Sequence, residues 1–146
     1  MCRRPSKCAA IEVKASRFLP PDGYFAITFF GKVLVRRKNM ALWERDRASR
    51  AGKVMLHHEW IHVQQAVSTG NSWLFFYMAY IWYFLCGKPW KYGVKGAYYA
   101  NPFELEAYMN DDDLSYASGA SGTDGWRVFA KMQATERYKI SKAFRT

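Results

Sequence analysis

The chain reads as an α+β domain, mostly helical, in which a small N-terminal β-hairpin or sheet packs on a helical core. Three observations predict this. β-branched and aromatic runs cluster before residue 37, apolar residues recur at helical spacing from about Gly52 onward, and 146 residues suit one domain with one core. Half of the residues are hydrophobic and 18% are aromatic, which excludes a disordered chain.

Residues 1–23 are polar, basic and broken by Pro20-Pro21-Asp22-Gly23, so they form an irregular lead-in closed by a turn; residues 24–146 form the single domain. Tyr24–Phe30 and Lys32–Arg36 pivot on Gly31 as two short strands or one bent strand. Residues 37–50 are charged and weakly patterned, and read as a loop. A helix follows from about Gly52 to Ser68, docked by Val54, Ile61 and Val63 and stopped by Gly70-Asn71.

Trp73–Cys86 is fourteen residues without a charge, eight of them aromatic. Leu74, Met78, Ile81 and Leu85 form one helical stripe, while Trp73, Phe76, Tyr77, Tyr80 and Phe84 form another. Such a helix spans about 21 Å, short of a hydrocarbon core of roughly 30 Å, so it reads first as a central buried helix. The competing reading is a peripheral membrane contact through residues 73–86, with the aromatic side chains at headgroup level. Asn101-Pro102-Phe103-Glu104 then starts a helix running to about Tyr116, with Asn as N-cap, Pro at N1 and Glu at N3. Gly119, Gly122 and Gly125 mark a loose segment, and residues 126–142 read as a last amphipathic helix through Trp126, Val128, Phe129 and Met132.

The chemistry-bearing string is His58-Glu59-Trp60-Ile61-His62. Positions four apart share one helix face, so two imidazoles can address one ion while Glu59 stands beside it as a base. Zinc is the expected metal, since imidazole suits it and a third ligand would leave a position for water. His57 lies about 100° away and reads as a packing or surface histidine.

The downstream carboxylates are Glu104, Glu106 and Asp111–Asp113. Two residues apart on a helix, Glu104 and Glu106 cannot both face one ion. Glu104 shares its face with Ala107 and Tyr108, a small residue for close approach and a phenol beside the metal, which favours it. Its competing role is half of a capping box on Asn101; Glu106 is then a solvated carboxylate or a support behind the ligands.

Together His58–His62 and Phe103-Glu104-Leu105-Glu106-Ala107-Tyr108 resemble the gluzincin metallopeptidases, above all minimal gluzincins and bacterial H-E-x-x-H proteins of uncharacterised function. The likeness spans about residues 25–116. It implies a zincin-like helical core, His58, His62 and Glu104 as zinc ligands, Glu59 as general base and acid, and a peptide or protein as substrate. Many gluzincins orient the first histidine with an aspartate four residues after the ligand glutamate; here Tyr108 stands there, and Asp111 or Asp112 is the substitute. For the oxyanion, Tyr98, Tyr99 and Tyr108 are the candidates, with Tyr108 on the Glu104 face. The alternative function is a zinc-binding sensor or interaction domain with little or no catalysis, at a membrane surface.

Net charge is +10, with the excess in residues 1–56 and 126–146 around a mildly acidic centre. No nucleic-acid fingerprint accompanies it, so nucleic acid is not the expected partner. Cys2, Cys8 and Cys86 fit no paired spacing, and no apolar h-region stands at the N-terminus. The expected location is cytoplasmic, with membrane association as the alternative.

Overall fold

A computed structural model describes residues 12–118 and 122–144. The first eleven residues of the expected lead-in, with Cys2 and Cys8, and Gly119 of the expected loose segment lie outside the described residues.

The N-terminal sheet has the order β1-β3-β2, where β1 is Glu12–Ser16, β2 is Ala26–Phe29 and β3 is Lys32–Arg36. β2 and β3 are an antiparallel hairpin whose turn, Phe30-Gly31, has positive φ at both residues (48° and 77°), the geometry that matches strand twist. β1 pairs with β3 in parallel, Val13 opposite Val33. Residues 12–16 are therefore strand, where an irregular lead-in was expected. Glu12 and Lys14 pair outward across a polar edge, so the strand owes its existence to β3 rather than to its own pattern.

The helices are α1 (Met40–Asp46), α2 (Arg50–Ser68), α3 (Trp73–Cys86), α4 (Pro89–Tyr99), α5 (Pro102–Asn110), α6 (Trp126–Ala130) and α7 (Ala134–Ser141). The α+β class holds, with corrections to particular elements. The expected loop at 37–50 holds α1, because Trp43 is buried against Val33 and Val35 and that contact outweighs the weak local pattern. α4, which the sequence reading did not place, starts with Pro89 at N1 and kinks at Gly93 (φ 76°, ψ 161°). α5 stops at Asn110 rather than near Tyr116, since the Asp113 side chain accepts from the amide of Ser115 and turns the chain. The expected last helix is two, split where Gln133 and Glu136 form a capping box.

Two hydrophobic clusters hold the domain. Val33, Val35 and Trp43 pack with Met55 and Leu56 at the start of α2, and Ala66, Phe76, Phe103 and Trp126 pack around its end. Between them α2 buries His57, His58, Glu59, Ile61, His62, Gln64 and Gln65. Of the expected docking residues only Ile61 is buried; Val54 and Val63 are half-buried.

α3 is not a central buried helix, because a domain this small has no second layer to cover its far side. Phe76 alone among its residues is buried. The stripe of Trp73, Phe76, Tyr77 and Tyr80 packs inward, while Leu74, Met78, Ile81 and Leu85 face outward.

The ends of α1 and α2 meet so closely at Gly52 that a Cβ there would lie 2.3 Å from the Asp46 carbonyl oxygen. Gly52→Ala is expected to lower the unfolding free energy by roughly 1–3 kcal/mol in urea denaturation, because backbone rather than a flexible side chain must move. An unchanged midpoint would refute this contact.

Candidate metal centre

α2 begins cleanly because the Ser49 side chain accepts from the Gly52 amide, and its regular turns stack His58 and His62, with ring centroids 4.9 Å apart. α5 begins with Asn101, whose side chain accepts from the Phe103 amide and donates to the Tyr80 carbonyl, tying α5 to α3. Ala107 is fully buried and lets α5 approach α2. Glu104 is thereby delivered to the two histidines rather than to its own helix end, which excludes the capping-box role. Its Oε2 lies 3.3 Å from His58 Nε2 and its Oε1 lies 3.5 Å from His62 Nε2. His58, His62 and Glu104 form a buried group that could hold a metal ion, with ligand atoms all within 4.8 Å of one another.

The outer partners orient these ligands. Gln65 donates its amide nitrogen to the Phe103 carbonyl at 2.9 Å and to Glu106 Oε2 at 2.8 Å, so its oxygen must accept from His62 Nδ1, 2.8 Å away. That bond leaves Nε2 of His62 turned to Glu104. Asp111 Oδ2 approaches Nδ1 of His58 at 3.3 Å, so the orienting carboxylate is Asp111, and Tyr108 instead packs its ring on His58 at 4.4 Å. His57 is a packing histidine with a purpose: its nitrogens meet the carbonyls of Asp111 and Tyr116, and Trp60 Nε1 donates to that of Ala117. The turn carrying Asp111 is pinned to α2 by these bonds.

Glu106 is fully buried, not solvated. It accepts from Gln65, Tyr116 and Thr123, and so stands behind His62 through Gln65. Gly125 fits against it without a side chain; a Cβ there would sit 2.5 Å from Glu106 Oε1. Glu59 points to the sheet side of α2, where Thr28 of β2 donates to its Oε2.

Charge is concentrated here. Burial alone would strip the proton from His58, but Asp111 and then Glu104 outweigh it and lift its pKa to about 10. Burial would raise Glu104, yet the charge of His62 and the approach of His58 bring it down to about 2. Tyr80, Tyr98 and Tyr108 are all pushed up by burial and by the Glu104 charge, so the phenols stay protonated. Tyr80 spends its proton on Glu104 Oε1 at 2.6 Å. Glu104 Oε2 is buried with no hydrogen bond, 3.3 Å from His58 Nε2, a position that a metal ion or a protonated His58 would satisfy.

Sequence reasoning named His58, Glu59, His62 and Glu104, and the structure brings His58, His62 and Glu104 together, while Glu59 is bonded to Thr28. It missed Thr28, Gln65 and Tyr80 as partners. Gln65 carried a signal, three residues after His62 on the same helix face; Thr28 carried none, since a strand-to-helix contact has no local spacing. No protein-family model, curated protein or solved structure matches the chain. The functional reading therefore rests on this geometry and on the motif.

Gln65→Leu removes the one group that joins His62, Phe103 and Glu106. Leaving those buried atoms unpaired should cost at least about 2 kcal/mol of stability by chemical denaturation. A loss within about 0.5 kcal/mol, the range of an ordinary surface change, would count against the amide bridge.

Proposed function

We propose that this protein is a zinc-dependent metallopeptidase-like hydrolase in which His58, His62 and Glu104 hold the ion and Glu59 is the general base. The observation that carries this reading is the buried His58, His62 and Glu104 group, in which Glu104 Oε2 lacks a hydrogen bond and the Nδ1 atoms of both imidazoles are already engaged by Asp111 and Gln65. Donor chemistry supports zinc: two imidazoles and a carboxylate are ligands it would accept, and their ligand atoms all lie within 4.8 Å of one another. Zinc in such a set supplies Lewis-acid polarisation of a carbonyl and activation of water.

The remaining work falls to the chain. Thr28 anchors Glu59 Oε2, which leaves Oε1 to take a proton from water and return it to the leaving amine. Tyr108, held protonated beside His58, is the donor for the developing oxyanion. Among the described residues β2 pairs only with β3, so its outer edge is the place for an extended peptide. Antiparallel register turns the amides of Ala26 and Thr28 to that edge, and Tyr77 already occupies the Thr28 carbonyl. That occupied group limits the peptide to a short pairing.

Metal analysis of purified protein should return one zinc per chain, lost in Glu104→Ala and kept in Glu59→Gln. With a peptide library, Glu59→Gln should lower hydrolysis by about 10²–10⁴-fold. Wild type with zinc and no cleavage of any peptide would overturn the peptidase reading and leave the metal site; wild type without zinc would overturn both. Asp111→Ala should weaken zinc about 10–100-fold in chelator competition, because His58 loses its orienting partner. An unchanged affinity would remove Asp111 from the site.

A further inference from the structure

A second polar feature lies away from the metal centre, where the end of α3 meets the turn between α6 and α7. A cleft of about 460 Å³ opens there, lined by Trp82, Tyr83, Lys88, Gln133 and Arg137 among others, with no carboxylate in its wall. Arg137 is 3% exposed, yet its Nε has no hydrogen-bond partner, and it makes no ion pair among the described residues. A guanidinium is costly to bury without an anion, and its face toward Tyr83, 5.8 Å away, offsets little of that cost. The cleft thus holds a buried cation, a second cation from Lys88, and nothing of opposite sign.

The ground beside the cleft is apolar. Trp82, which lines it, is 64% exposed, and Leu74, Phe75, Met78, Ile81 and Leu85 continue the exposed face along α3. On the following helix α4, Trp90 and Val94 are likewise exposed, at 76% and 65%, and alternate in sequence with the exposed Lys88, Lys91 and Lys95. A face that combines aliphatic and indole side chains with lysines at its margin is complementary to a lipid surface with anionic headgroups. Among the described residues no helix is long and apolar enough to cross a membrane, so α3 would lie in the plane of the surface.

We propose that this protein docks on anionic phospholipid, with Arg137 and Lys88 taking the headgroup phosphate in the cleft and the outer face of α3 seated at the acyl boundary. The inference stands apart from the zinc reading, since it shares no residue with the metal site. It assigns the occupant through charge: the cleft selects a phosphate, and the apolar face requires that the phosphate carry acyl chains.

Vesicle co-sedimentation tests it, comparing phosphatidylcholine alone with phosphatidylcholine mixed with phosphatidylglycerol. The mixed vesicles should retain at least about tenfold more protein, and the retention should fall with salt. Lys88→Glu, an exposed change, should lose about tenfold of that retention, as should Ile81→Ser with Leu85→Ser, each variant first shown folded by its thermal transition. Arg137→Met should do the same; should it fail to fold, Lys88→Glu alone decides the cleft. Equal retention on both vesicles, or full retention by Lys88→Glu, would overturn the headgroup site. Glycerol 1-phosphate binding as tightly as the mixed vesicles, or retention unaffected by the α3 substitutions, would show a soluble phosphate instead and overturn the docking.

Discussion

The buried carboxylate of Glu104 is the constraint around which this chain is arranged. A lone carboxylate at 2% exposure would be neutralised by protonation, because its charged form loses more solvation than a weak partner returns. Here its pKa instead falls to about 2, so the surroundings supply positive charge in excess of the burial cost. Supplying that charge obliges α2 to present two imidazoles on one face, obliges α5 to cross close to α2 at Ala107, and obliges Tyr80 of α3 to point its hydroxyl inward. Three helices are thus positioned by one side chain.

The rest of the interior follows from the same demand. Once His58 and His62 are turned to Glu104, their remaining nitrogens need partners in a space from which water is excluded. Asp111 and Gln65 meet that need, and Gln65 in turn must satisfy its own amide, which brings in Phe103 and Glu106. Glu106 then recruits Tyr116 and Thr123, so the segment after α5 folds back over α2 rather than continuing as a helix. A centre of this kind cannot be half-built, because each unpaired buried group costs about 1–3 kcal/mol.

Legibility in the sequence follows the range of each interaction. His58, Glu59 and His62 were readable because helical periodicity alone sets their relation, and Glu104 because Asn101-Pro102 marks where its helix starts and so which way it faces. Trp73–Cys86 was readable as a helix, and its outer stripe and most of its inner one were drawn, though Tyr83 and not Phe84 joins the inner cluster. Which stripe faced inward was not, since both are apolar and only the number of layers in the domain decides it. β1 and the partnership of Thr28 with Glu59 were invisible for a related reason: each is created by a neighbour more than fifteen residues away in the chain. Asp111 was narrowed to two candidates and settled by the turn that His57 and Trp60 hold in place.

α3 joins the two features that give this protein its character. Its inward side bonds to both halves of the proposed active site, Tyr80 to Glu104 and Tyr77 to the Thr28 carbonyl of β2. Its outward side, only half a helical turn away, is the exposed apolar face that ends at Trp82 and the Arg137 cleft. A rigid helix transmits its position to everything bonded to it, so any surface that seats the outer face also fixes where Tyr77 and Tyr80 stand. The domain thus buries Glu59, Glu104 and Glu106 with three histidines among its hydrophobic core while leaving a row of large apolar side chains of α3 outside.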